Sequence, residues 1–176
     1  MSPLPSVITI AFETSAPDAP HERAWPSAIG ATVVGTGVTR EWLVKPEEEW
    51  LLFRGWDEAA LRDPGRDLGD LLAKGKPAAE VAAEVDAWLT DTTVLAADPA
   101  AAADWMGLLM ATANLSAPAV SPALRYMIAL TEGGEGDVAT AMAQAAYRVT
   151  ADGAGAEAEQ LAHAIRILSG PAPVRR

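Results

Sequence analysis

The chain opens on a stretch of β-branched residues, Ser6-Val-Ile-Thr-Ile-Ala-Phe-Glu13, that runs into a Ser/Pro/Asp/Pro loop and so reads as a first strand. Two further strand patterns follow, Ala28 to Gly35 and Val38 to Val44, joined by Gly35-Thr-Gly37. A short glycine-bearing connection between two strand patterns predicts an antiparallel hairpin, so the N-terminal third is expected to be a three-stranded meander. After Pro46 an aromatic, acidic stretch with Trp50 and Trp56 leads to a Pro64/Gly65 break, and helical periodicity begins near Pro77. Val81, Val85, Trp88 and Leu89 recur at helical spacing, with Glu80 and Glu84 off their face, and a proline at the start suits a helix N-terminus. Thr92 to Ala97 reads as a short buried strand and Pro99 to Ala113 as an alanine-rich helix capped by Asp98. Pro118 and Pro122 punctuate a loop, and two helices follow, Ala123 to Leu130 and Asp137 to Val149, around the flexible Thr131 to Gly136 segment. Gly153 and Gly155 precede a last helix with a Leu161, Ile165, Leu168 stripe, and residues 171–176 form an aperiodic tail expected to fray.

A meander followed by alternating helices and strands predicts an α/β fold: a central mixed sheet, its first three strands antiparallel, with helices on both faces. At 176 residues, half of them apolar, the chain has the length and core-forming capacity of one domain, taken as residues 1–170. Its apolar runs are too short to cross a bilayer, and it has neither a signal-peptide pattern nor a cysteine, so a cytoplasmic protein without membrane partners is expected. A net charge of −11 opposes unselective binding to polyphosphate and restricts any nucleic-acid contact to a local surface. It does not exclude a carboxylate site that awaits cations. Three acidic residues occupy informative places: Glu13 ends the first strand, Asp104 lies early in the helix after the fourth strand, and Asp152 precedes the last helix. Carboxylates that converge beyond strand ends bind hard divalent cations, so these three are expected near one sheet edge.

The order of these segments resembles the DEDD superfamily of 3'-5' exonucleases, DEDDh type, over nearly the whole chain. Ile8-Thr-Ile-Ala-Phe-Glu-Thr-Ser15 is similar to the first exonuclease motif, Asp-x-Glu-Thr/Ala at a strand end, and Pro26 to Val34 to the strand that follows it. Trp42 to Pro46, Trp50 and Trp56 to Ala60 resemble a bacterial subgroup with tryptophans in and after the second hairpin. Val94 to Asp104 looks like the second motif, with Asp98 as the other candidate for its aspartate, and Tyr147-Arg-Val-Thr-Ala-Asp152 like the third, His-Arg-Ala-x-x-Asp. The resemblance implies a ribonuclease-H-like fold and hydrolysis at single-stranded nucleic acid 3' ends by two magnesium or manganese ions. It makes Glu13, Asp104 and Asp152 the metal-facing group, with Tyr147 in the place of the water-activating histidine.

The departures are equally specific. Ala11 stands where the family's first aspartate would project, on the same strand face as Glu13. Tyr147 replaces an imidazole with a phenol, a far weaker base near neutral pH, and Leu61-Arg-Asp-Pro-Gly65 lacks the His-Gly usual after the hairpin. These losses imply a degenerate site, with either weakened catalysis or a non-catalytic binding or assembly module on the same scaffold. The bland readings are an ordinary strand-end residue for Glu13, a residue at the favourable end of its helix for Asp104, and a cap or turn residue for Asp152. Trp42 and Trp88 are expected in the core; Trp50, Trp56 and Trp105 could also serve as stacking platforms; His21 and His163 read as solvated bystanders.

Overall fold

The computed structural model describes residues 6–16, 23–57, 67–149 and 151–170. The β-branched opening forms β1 (Ser6–Thr14), which pairs antiparallel with β2 (Pro26–Val33), and β2 pairs antiparallel with β3 (Thr39–Lys45). The hairpin closes through Gly37, whose φ of 73° lies in the left-handed region that glycine enters without strain. Short α1 (Glu48–Phe53) and α2 (Leu68–Lys74) precede a two-residue edge strand, β4 (Lys76–Pro77), and the amphipathic α3 (Ala78–Leu89). The chain then crosses to β5 (Thr92–Ala96), parallel to β1, continues through α4 (Pro99–Ala111), and adds β6 (Val120–Pro122) beside β5. Three helices complete it: α5 (Ala123–Ile128), α6 (Glu135–Arg148) and α7 (Ala154–Ser169). The sheet order β4-β3-β2-β1-β5-β6 is the expected α/β, ribonuclease-H-like arrangement, a mixed sheet with β1 central and helices on both faces.

Alternation along β1 divides the core. Ile8 and Ile10 pack with Val81, Val85, Met106 and Leu109 of α3 and α4, and Phe12 lies against the same cluster. Val7 instead packs with Leu161 and Ile165 of α7, beside Val138 and Ala141 of α6, so the Val7, Thr9, Ala11, Glu13 face belongs to α7. Trp42 and Trp88 pack edge to face, 5.6 Å between ring centroids, with Trp42 buried and Trp88 half-buried under Arg40. Trp50 is buried too, stacked on Trp25. Of the three tryptophans left open, Trp50 is therefore core, Trp105 is half-buried and Trp56 is exposed.

Position 30 sets how closely α7 can lie on the sheet. A Cβ built on Gly30 would stand 2.1 Å from the carbonyl oxygen of Ala154, so only glycine permits the contact. Two polar contacts hold α7 there. The buried Thr9 hydroxyl donates to the Ala158 carbonyl at 2.7 Å, and Glu41 of β3 accepts from the Gly155 N–H at 2.6 Å. Gly155 thus lies in the first turn of α7 rather than ahead of it.

Several elements depart from the pattern read along the chain. The loop around Pro118 and Pro122 contains β6, whose edge position tolerates a residue that cannot donate to the ladder. The helix from Ala123 ends at Ile128, two residues early. Helices α1 and α2 are too short to carry a hydrophobic period, and β4 exists only because β3 lies beside it. Leu61 to Gly65, His21 and residues 171–176 lie outside the described residues.

Gly30→Ala is expected to cost about 3 kcal/mol or more, because helix backbone rather than a mobile side chain must move. Urea unfolding of the variant measures the loss, and amide exchange should place the lost protection in α7.

Candidate functional site

The C-terminal end of β1 is fixed by Ser15, which is fully buried. Its N–H donates to the Trp25 carbonyl at 2.9 Å, and its hydroxyl accepts from the Trp25 N–H at 3.1 Å and donates to the Gly55 carbonyl at 2.9 Å. The Asp57 N–H closes onto the Ser15 carbonyl at 2.7 Å, while Arg54 donates from Nη1 to the Ala24 carbonyl at 3.0 Å. One hydroxyl therefore ties the strand end, the start of β2 and the segment after α1 into a rigid rim. Glu13 sits two residues before it, half-buried on the α7 face.

The other residues singled out from the sequence have distinct surroundings. Asp104 is exposed on α4; its neighbour Trp105 reaches Phe12 on the opposite face of β1 from α7, with ring centroids 5.9 Å apart. Asp98 is the N-cap of α4 and accepts from the Ala100 and Ala101 N–H groups at 3.1 and 3.0 Å. Its carboxylate has the helix-start role that its position before Pro99 predicted. Asp152 is exposed, just ahead of Gly153 with φ at 113°, and the α7 N-terminus takes its carboxylate from Glu41 instead. Tyr147 stands in the last turn of α6 with 87% of its surface exposed, over a shallow groove with Ala143 and Arg148.

A fourth carboxylate, Glu157, escaped the sequence reading. Although much of its side chain is exposed, desolvation of the carboxyl, together with the nearby charge of Glu13, raises its pKa above the ordinary glutamate range. The signal was faint, because an acid in the first turn of a helix is expected on dipole grounds alone. Only the crossing of α7 over β1 makes it a neighbour of Glu13. The two-ion centre implied by the resemblance needs more than such a pair. Among the described residues no group of three or more His, Asp or Glu side chains could hold a metal ion, and Ala11 offers no ligand. The described residues therefore do not by themselves fit that centre.

Because its folded pKa is raised, Glu157 favours the fold most below its unfolded pKa and loses that contribution as pH rises through the folded value. Glu13→Gln is expected to bring the Glu157 titration back toward the ordinary range and to lessen this loss at neutral pH. Carboxyl-carbon NMR titration of wild type and variant checks it; an unmoved Glu157 would contradict the pairing.

No protein-family model matches the chain, nor does any curated protein sequence. Solved structures do. The metal-free E. coli exonuclease I–ssDNA complex superposes with a TM-score of 0.62 at 12% identity, over 90% of this chain and 38% of that one. E. coli exonuclease I in complex with a dT13 oligonucleotide gives a TM-score of 0.56 at 14% identity, over 72% and 29% of the two chains. An exonuclease I complex with SSB-Ct gives 0.57 at 14% identity, over 72% and 30%. The chain thus spans well under half the length of these proteins, and what it shares with them is the fold of an exonuclease scaffold.

Proposed function

We propose that this chain is a 3'-5' exonuclease homologue whose phosphodiester hydrolysis is weak or lost, and that it keeps the strand-end surface around Glu13 for contact with single-stranded nucleic acid 3' ends. The observation that carries this reading is at position 11. Ala11 pairs directly with Gly30, beneath the start of α7, so a methyl group stands on the β1 face where a second strand-borne carboxylate would accompany Glu13. Two ions that stabilise both the entering and the leaving oxygen need ligands shared between them, and the strand supplies one carboxylate. The single-stranded DNA held by exonuclease I of the same fold supports the choice of ligand. Asp104, Asp152 and Tyr147 remain the other residues proposed for this site.

The surviving groups have limited chemistry of their own. Glu13 can accept a proton or orient a water, and Glu157, with its raised pKa, keeps its proton to higher pH than an ordinary glutamate. Neither neutralises developing negative charge on a phosphate, which is the larger part of phosphoryl transfer. A non-catalytic binding or assembly module is the second reading, favoured by the solvent-facing ring of Tyr147.

The wild-type chain is expected to show little or no magnesium-dependent trimming of single-stranded oligonucleotides, and robust EDTA-sensitive trimming would refute this. The double variant Ala11→Asp with Tyr147→His should bind manganese more tightly by calorimetry and gain measurable 3'-5' hydrolysis, with much smaller gains from either single change. Metal binding without turnover would favour the binding module. No gain in either measurement would leave the fold without a silenced nuclease.

A further inference from the structure

A groove of about 550 Å³ separates α1 from the C-terminal turn of α4, a volume within the range of ligand sites. Buried Trp50 lies in its wall with Leu108 and Ala111, and the Phe53 ring stands beside it 79% exposed. The next residue back, Leu52, is 68% exposed, so α1 carries a second uncovered apolar side chain beside the groove. Acidic groups outnumber basic ones in its described lining. Glu47 and Glu49 line it, and the end of α4 that faces it is the negative end of the helix. Arg54, the one cation among the described residues of the lining, is turned to the Ala24 carbonyl, to which its Nη1 donates.

We propose that this groove docks a cationic amphipathic peptide segment of a partner protein. Exposed Leu52 and Phe53 match an apolar stripe, and the Glu47 and Glu49 carboxylates and the α4 terminus match lysine or arginine on its flanks. The same charges repel a phosphate backbone, which separates this surface from the nucleic-acid contact proposed above and makes the two readings independent. An acidic peptide meets the same repulsion.

The test uses the full chain and an amphipathic lysine–leucine peptide, followed by calorimetry. A glutamate–leucine peptide of the same pattern and a single-stranded oligonucleotide serve as competitors. The lysine peptide should bind, and neither competitor should displace it. Phe53→Ser, and separately Glu47→Lys with Glu49→Lys, should each weaken binding about tenfold or more while leaving the unfolding midpoint unchanged, since these side chains are largely at the surface. Glu132→Lys with Glu135→Lys makes the same charge change elsewhere and should leave affinity unaltered. Equal weakening by that pair would mean that general attraction to an acidic chain is responsible and would overturn the proposal. So would the absence of binding, or displacement by the oligonucleotide.

Discussion

The close approach of α7 to the sheet at Gly30 is the constraint on which the rest depends. A helix that rests its backbone on a strand brings its first turn over the centre of the sheet, and only a residue without a Cβ allows it. Once there, it is held by the buried Thr9 hydroxyl, which reaches the Ala158 carbonyl, and by Glu41, which takes an otherwise orphan N–H of the first helical turn. The same placement sets Glu157 near Glu13 and leaves position 11 beneath the helix start. Packing and candidate chemistry are thus consequences of one contact.

The charge relations at this site follow from what α7 covers. Desolvation of Glu157, with the nearby charge of Glu13 added to it, raises the cost of ionising Glu157. Among the described residues no group of three or more carboxylates or histidines gathers to hold a metal ion here. Ser15 ties the neighbouring rim together through its backbone and its hydroxyl.

The acidic character of the chain acts locally in opposite ways. Around Glu13 it opposes nucleic acid until a cation or proton intervenes, whereas between α1 and α4 it accompanies exposed Phe53 and Leu52 and selects for positive charge. A net charge of −11 therefore identifies no single partner. What a surface attracts depends on which apolar groups share it.

The sequence by itself determined the meander, the helix of Val81 and Val85, the Asp98 cap, the stripe of the last helix and the two departures at Ala11 and Tyr147. Each of these rests on a local signal: a period of two, a period of about three and a half, a cap next to its helix, or a residue type at a motif position. The short α1, α2, β4 and β6 escaped because fewer than two helical turns, or two to three strand residues, carry no period to read. The role of Gly30, the capping of α7 by Glu41 from 114 residues away and the meeting of Glu13 with Glu157 were decided only by tertiary structure. Periodicity tells which face of an element is apolar, but the angle and height at which two faces cross depend on side-chain volumes from both, and those are brought together only by the folded chain.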